Sequence, residues 1–173
     1  MAKSYDAAAF VRQELGAETP LILDHSLYSW NSAARDVFLQ LAPERDTVPL
    51  ELNRSELFAR DNHHSEAMVY GYLPLMTSAQ CVHANTEKCD RERGILYLKD
   101  RYGKYFPVKN NCMECYNTIY NTTPLMLFGY GKELQKADFS NFRLNFTVES
   151  EEEVRQILAI YETVFYEGRK NLA

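Results

Sequence analysis

The chain has 173 residues, 46% of them apolar and 25% charged, a composition that can bury one real core and excludes a disordered or fibrous protein. Nineteen Lys and Arg against 24 Asp and Glu leave a net charge of −5, so bulk charge does not draw the chain to phosphate backbones, and any nucleic-acid contact must come from a local patch. No run approaches the roughly 18 apolar residues of a membrane span, and Met1–Phe10 lacks the basic-then-apolar order of a signal peptide; we expect a cytoplasmic protein with no membrane contact, whose four cysteines are thiols or metal ligands rather than disulfides.

Short β-type runs alternate with amphipathic helical stretches, the pattern of βα units around a mostly parallel sheet. Pro20–Asp24 is the first predicted strand. A helix follows from about Ser32 to Leu41, with Ala33, Val37, Phe38 and Leu41 on one face. The second strand is predicted at Thr47–Leu52, after which Asn53 and Glu56 have the spacing of a capping box for a short helix through Arg60. His63 and His64 follow Asp61 and Asn62 in a polar linker and are expected to be solvated. The third strand is Glu66–Gly71.

The stretch from 79 to 123 breaks this rhythm and holds every cysteine, so it is expected to be an insertion within a single domain spanning 1–173. Inside it, Gly94–Lys99 and Lys104–Val108 flank the turn residues Asp100 and Gly103, which predicts a β-hairpin. Residues Leu125–Gly131 carry no decisive pattern. Phe142–Thr147 is the fourth strand. Ser150 and Glu153 then form a second capping box, and Val154, Ile157, Leu158, Tyr161, Val164 and Phe165 make one stripe expected to face the sheet. The acidic run Glu149–Glu153 suits the positive end of that helix dipole.

Cys81 and Cys89 are separated by seven residues, Cys112 and Cys115 by two, with the hairpin between the pairs. The close pair has a metal-knuckle spacing, and a hairpin between two ligand pairs can bring four thiolates together. Four buried reduced thiols would be the alternative, but the neighbours Gln80, Lys88, Asp90, Asn111 and Glu114 are polar. Spacing leaves zinc and an iron–sulfur cluster both open, and His83 could replace one ligand. Lys88–Lys109 holds seven basic residues against three acidic ones, interleaved with Tyr97, Tyr102, Tyr105 and Phe106. Such a hairpin could hold single-stranded RNA through phosphate contacts and stacking, with Arg101 and Lys104 as substrate-binding candidates; a solvated face is the plainer alternative.

The residues from Glu66 to Cys81 (EAMVYGYLPLMTSAQC), with Tyr97–Arg101, Phe106–Val108, the Cys112/Cys115 pair and Ile119–Asn121, resemble the collagenase-like peptidase family U-32, in particular its large multidomain bacterial branch. Asp24–Leu27, Asn31–Ala33, Leu50–Asn53, Phe142–Thr147 and Glu149–Val154 are similar to the flanking strand ends, last strand and last helix, so the resemblance covers about residues 10 to 167. It implies a (β/α)8 TIM-type barrel of which this chain carries the later half, about four βα units with the cysteine hairpin inserted. The missing N-terminal half or a second copy would then be a partner. Several members are similar to oxygen-independent hydroxylation factors for RNA bases or quinones, which implies a four-iron four-sulfur cluster on Cys81, Cys89, Cys112 and Cys115. Tyr70 stands where many members carry histidine, and Tyr28-Ser29 where an asparagine is expected.

In such a barrel the strand C-termini form the active face, which gathers Asp24, His25, Glu51, Asn53 and Tyr70. Glu51, Asp24 and Tyr70 are the catalytic candidates and Asn53 a substrate-binding one. Alternation within the second strand puts Leu50 and Leu52 on one side and points Glu51 inward. Asp24 and Asn53 could instead cap local structure, and Tyr70 could simply pack. The expected function is therefore a fragment or subunit of a cluster-bearing protein that modifies RNA or another cellular substrate. A peptidase is the alternative enzyme, although no paired nucleophile and base and no His-Glu-x-x-His helix is present. A non-catalytic, metal-stabilised RNA- or protein-binding module is the third reading.

Overall fold

The computed structural model describes residues 1–86 and 94–167 and is mixed α/β. Its elements are α1 (Tyr5–Glu14), β1 (Ile22–Leu23), α2 (Ser32–Leu39), β2 (Arg45–Thr47), α3 (Arg54–Ala59), β3 (Ser65–Gly71), β4 (Pro74–Ser78), α4 (Val82–Thr86), β5 (Ile95–Lys99), β6 (Tyr105–Asn111), β7 (Tyr116–Tyr120), β8 (Leu125–Met126), α5 (Gly131–Lys136), β9 (Asn141–Asn145) and α6 (Glu151–Glu162). A π-helical turn over Thr163–Glu167 follows α6. The described residues divide into two compact units, one of residues 1–69, 129–144 and 163–167, the other of residues 70–86, 94–128 and 145–162. Among the described residues no helix is long and apolar enough to cross a membrane.

In the first unit β1, β2 and β3 run parallel, as the βα rhythm predicts, with Ile22 and Leu23 opposite Arg45 and Asp46, and Asp46 and Thr47 opposite Ser65 and Glu66. Ala2 adds a parallel bridge to β1, its N–H donating to the Ile22 carbonyl and its carbonyl accepting from Asp24 N–H, both at 2.8 Å. β8 and β9 both pair with β3, and among the described strands the sheet order does not close into a barrel.

The second strand lies at Arg45–Thr47 rather than Thr47–Leu52. Pro49 has no N–H to give a ladder. Val48 N–H still reaches the Glu66 carbonyl at 3.0 Å, but Leu52 N–H turns back onto the Pro49 carbonyl at 3.4 Å, so residues 49–52 form a turn. The capping box is formed as expected: Asn53 N–H donates to Glu56 Oε2 at 2.8 Å and Glu56 N–H to Asn53 Oδ1 at 3.1 Å. Asn31 caps α2 in the same way through Ala34 N–H.

Leu21, Leu23, Ala2 and Ala8 form a small core, against which Phe38 and Leu41 pack, while Val37, assigned to the same helix face, is half exposed. The single stripe expected on the last helix is divided. Ile157 is buried and Leu158 is 40% exposed; past Glu162 the π turn breaks the 3.6-residue period, and Phe165 is buried in the first unit against Phe142, ring centroids 4.6 Å apart. Gly131 opens α5 where a Cβ would collide with the Val164 side chain, so glycine permits this turn to approach.

Polar side chains occupy the sheet interior of this unit. Arg143, on β9, donates to Asp24 Oδ1 at 2.7 Å and Thr47 Oγ1 at 2.5 Å and pairs with Glu66. Arg45 holds the other Glu66 oxygen at 2.9 Å. On the opposite side of β2, Asp46 accepts from Ser29, Ser65 and Arg60. Burial alone would raise the Asp24 carboxyl, but hydrogen bonds and charges from His25 and Arg143 outweigh it and hold the group well below the ordinary carboxylate range.

Removing one partner of a buried ion pair leaves an uncompensated charge, so Arg143→Met should lower unfolding stability by about 3–5 kcal/mol in urea titrations. Because the folded Asp24 carboxyl titrates below its unfolded value, its contribution is complete above about pH 4 and lost as the pH falls below that. Asp24→Asn should therefore flatten the acid limb of the stability profile; an unchanged slope would show that Asp24 does not generate it.

Candidate metal centre

The second unit contains a four-stranded antiparallel sheet in the order β4-β7-β6-β5. The predicted hairpin joins β5 and β6, with Ile95 opposite Lys109 and Lys99 opposite Tyr105. Its turn is built by Asp100, whose Oδ1 accepts from Tyr102 and Lys104 N–H at 2.8 and 2.9 Å, and by Gly103 at φ +81°. β4 and β7, which the sequence reading leaves unassigned, complete the sheet.

The close cysteine pair forms the turn between β6 and β7, bounded by the Asn111/Tyr116 pairing. Glu114 N–H reaches the Asn111 carbonyl at 3.3 Å, and Cys115 takes a left-handed φ of +54°, which reverses the chain within four residues. Cys81 follows β4 and starts α4: its carbonyl accepts from Asn85 N–H at 3.2 Å and its Sγ from Ala84 N–H at 3.4 Å. Cys81, Cys112 and Cys115 line one cavity of about 120 Å³, together with Ala84, Asn110 and Asn117. Cys89 and the His83 side chain lie outside the described residues. Among the described residues no three His, Cys, Asp or Glu side chains already form an ion-holding group, so the cavity is a convergence of thiols rather than a finished ligand shell.

Asn110 and Asn117 are a cross-strand pair, 5% and 0% exposed. The Oδ1 of each is buried with no hydrogen-bond partner among the described residues. An unsatisfied buried amide oxygen costs about 1–3 kcal/mol, so two of them on one cavity wall are unusual. They are the residues that sequence reasoning passed over, although an asparagine interrupting the inward positions of Val108 and Ile119 was a visible signal.

The sheet has two unlike faces. Val108 and Ile119 are buried on one. Alternation and register place Tyr97, Lys99, Tyr105, Lys109 and Tyr116 on the other. Tyr97 and Tyr105 are more than half exposed, Lys99 Nζ lies 5.3 Å from the Tyr105 ring centre, and in the turn Arg101 lies 4.7 Å from that of Tyr102. Arg101 and Lys104 are both exposed there; Lys88, Arg91 and Arg93 lie outside the described residues.

Other candidates have different settings. Glu51 is exposed in the turn after β2, four residues beyond its end, so the alternation that would point it inward does not apply; the residue buried at the strand end is Thr47. Asp24 is committed to Arg143 and His25, the latter at 3.1 Å. Asn53 spends its side chain on the α3 cap. Tyr70 is buried in β3 with its ring 5.5 Å from Phe146 and 6.2 Å from Phe128, and burial, then the Glu149 carboxylate, push its hydroxyl well above the ordinary range. His63 and His64 are exposed, as expected.

Comparison with protein-family models, curated proteins and solved structures finds no match to this chain. The site geometry therefore carries the functional reading alone.

Glu51→Gln should leave unfolding stability within about 0.5 kcal/mol of the parent, as for a surface change away from any partner. A larger loss in a urea titration would show that Glu51 makes contacts its exposed turn does not display.

Proposed function

We propose that the chain is the later half of a U-32-like (β/α)8 barrel, that its cysteines hold a four-iron four-sulfur cluster, and that it serves hydroxylation-type modification of RNA or another cellular substrate. The observation that carries this reading is the meeting of Cys81, Cys112 and Cys115 at one cavity in the absence of any sequence adjacency between Cys81 and the other two. Thiolates suit iron–sulfur clusters and zinc alike, so zinc is the alternative occupant. The parallel order of β1, β2 and β3 supports βα units of the barrel type, with β8 joining β3 antiparallel, and a half-barrel would need its other half or a second copy. The lysine-and-tyrosine face supports RNA as the partner, since on an acidic chain it offers the local cations and stacking rings that a single strand needs.

Protein purified anaerobically should be coloured, with iron and acid-labile sulfide near four each per chain, and Cys112→Ser should lose both. A colourless protein with one zinc selects the alternative, and protein that takes up neither after reconstitution overturns the thiolate centre. On single-stranded RNA, Tyr105→Ala should weaken binding by about 1–3 kcal/mol and Lys109→Ala should lower the salt slope by about 1, measured by fluorescence anisotropy. Unchanged affinity and slope would remove this face from RNA binding.

A further inference from the structure

We infer that Asn117 is a positioning residue that holds Cys81 at the cysteine cavity, an inference that rests on the thiolate-centre reading. The β4–β7 ladder ends where Ser78 pairs with Asn117, so no backbone pairing carries the chain from Ser78 to Cys81. The Asn117 amide extends the hold past that end: its Nδ2 donates to the Ser78 carbonyl at 3.4 Å and to the Gln80 carbonyl at 2.9 Å. Gln80 is the residue next to Cys81. A second brace is local, with Gln80 N–H donating to Ser78 Oγ at 3.2 Å.

The two carbonyls fix which way the amide faces, because exchanging its oxygen and nitrogen would set oxygen against both of them. Asn117 Oδ1 is thereby left buried and unpartnered on the wall of the cavity. Asn110 supplies the contrast: it is equally buried on the neighbouring strand and makes no bond to residues 78–80 among the described residues.

The test reads the position of Cys81 with and without metal. In cobalt(II) titrations of the reduced, metal-free full chain, Asn117→Leu should weaken binding about 10- to 100-fold, as loss of an outer partner does at metal sites. Its sulfur-to-cobalt charge-transfer intensity should fall to that of Cys81→Ser, and the double variant should be no worse than Cys81→Ser alone. Additive losses would overturn the inference, as would cobalt binding by Asn117→Leu at the parent's strength. Independently of metal, a short bis-alkylating reagent applied in a Cys89→Ser background should link Cys81 to the Cys112/Cys115 turn at least about tenfold more slowly in Asn117→Leu, matching the lower end of that range. The Cys112–Cys115 link should keep its rate, which reports that the sheet is intact. Asn117→Thr, which suits a strand and keeps one donor, should lie between. Unchanged linking of Cys81 in Asn117→Leu overturns the inference even where the parent takes no cobalt; absence of cobalt binding in the parent alone refutes the metal reading instead.

Discussion

The strand register of the first unit depends on one largely buried guanidinium, that of Arg143. Parallel strands of two and three residues offer few ladder bonds, and a short parallel ladder does little to fix register. Arg143 compensates by reaching Asp24 at the end of β1, Thr47 on β2 and Glu66 on β3 from its own place on β9. Shifting any of these strands by one residue would turn its polar partner to the other side of the sheet and leave the arginine charged and unpaired, at a cost well above that of a lost ladder bond. Asp24 is held low against its burial by His25 first and by this guanidinium second.

What was legible in the sequence was local. The Asn53/Glu56 and Ser150/Glu153 capping boxes and the Asp100–Gly103 turn each join residues at most four apart, and each is formed. Where a long-range contact competes with local propensity, the reading failed. Apolar residues at 48, 50 and 52 suggested a strand, yet Pro49 ended the ladder, and the inward place expected for Glu51 fell to Thr47. β4 is exposed along most of its length and has no amphipathic signature; only pairing with β7 makes it a strand. The Arg143 network and the Asn117 clamp link residues 37 to 119 positions apart, a separation at which composition and periodicity carry no information.

Three of the four cysteines meet at one cavity, and what brings Cys81 there is the pairing of β4 with β7 rather than the predicted β5–β6 hairpin, whose ends meet at Ile95 and Lys109. Left-handed backbone at Cys115 and a sulfur capping α4 at Cys81 come from turn formation, and neither follows from spacing. The two sheet faces meet at the Cys112/Cys115 turn: Tyr116, which alternation places with the lysines and tyrosines, lines the cysteine cavity beside Asn110 and Asn117, and Lys109 lines a neighbouring cavity with Cys112.

The proposed thiolate centre has a thermodynamic consequence. Thiolates and not thiols ligate a metal, so its occupation would release protons, and any ordering of the cysteines would be driven by binding. The part of that cost which arises from ordering the chain falls unevenly. Cys112 and Cys115 are already placed by a four-residue turn closed at Asn111 and Tyr116, while Cys81 lies beyond the end of its ladder. Each ligand ordered in advance would remove an entropic cost from the binding step, and among the three described cysteines Cys81 is the one outside a strand pairing or its turn. A buried amide spanning from a ladder strand to the carbonyl before Cys81 reduces that cost, which is why an asparagine with an unsatisfied oxygen can be favoured in the wall of this cavity over the leucine that packing alone would choose.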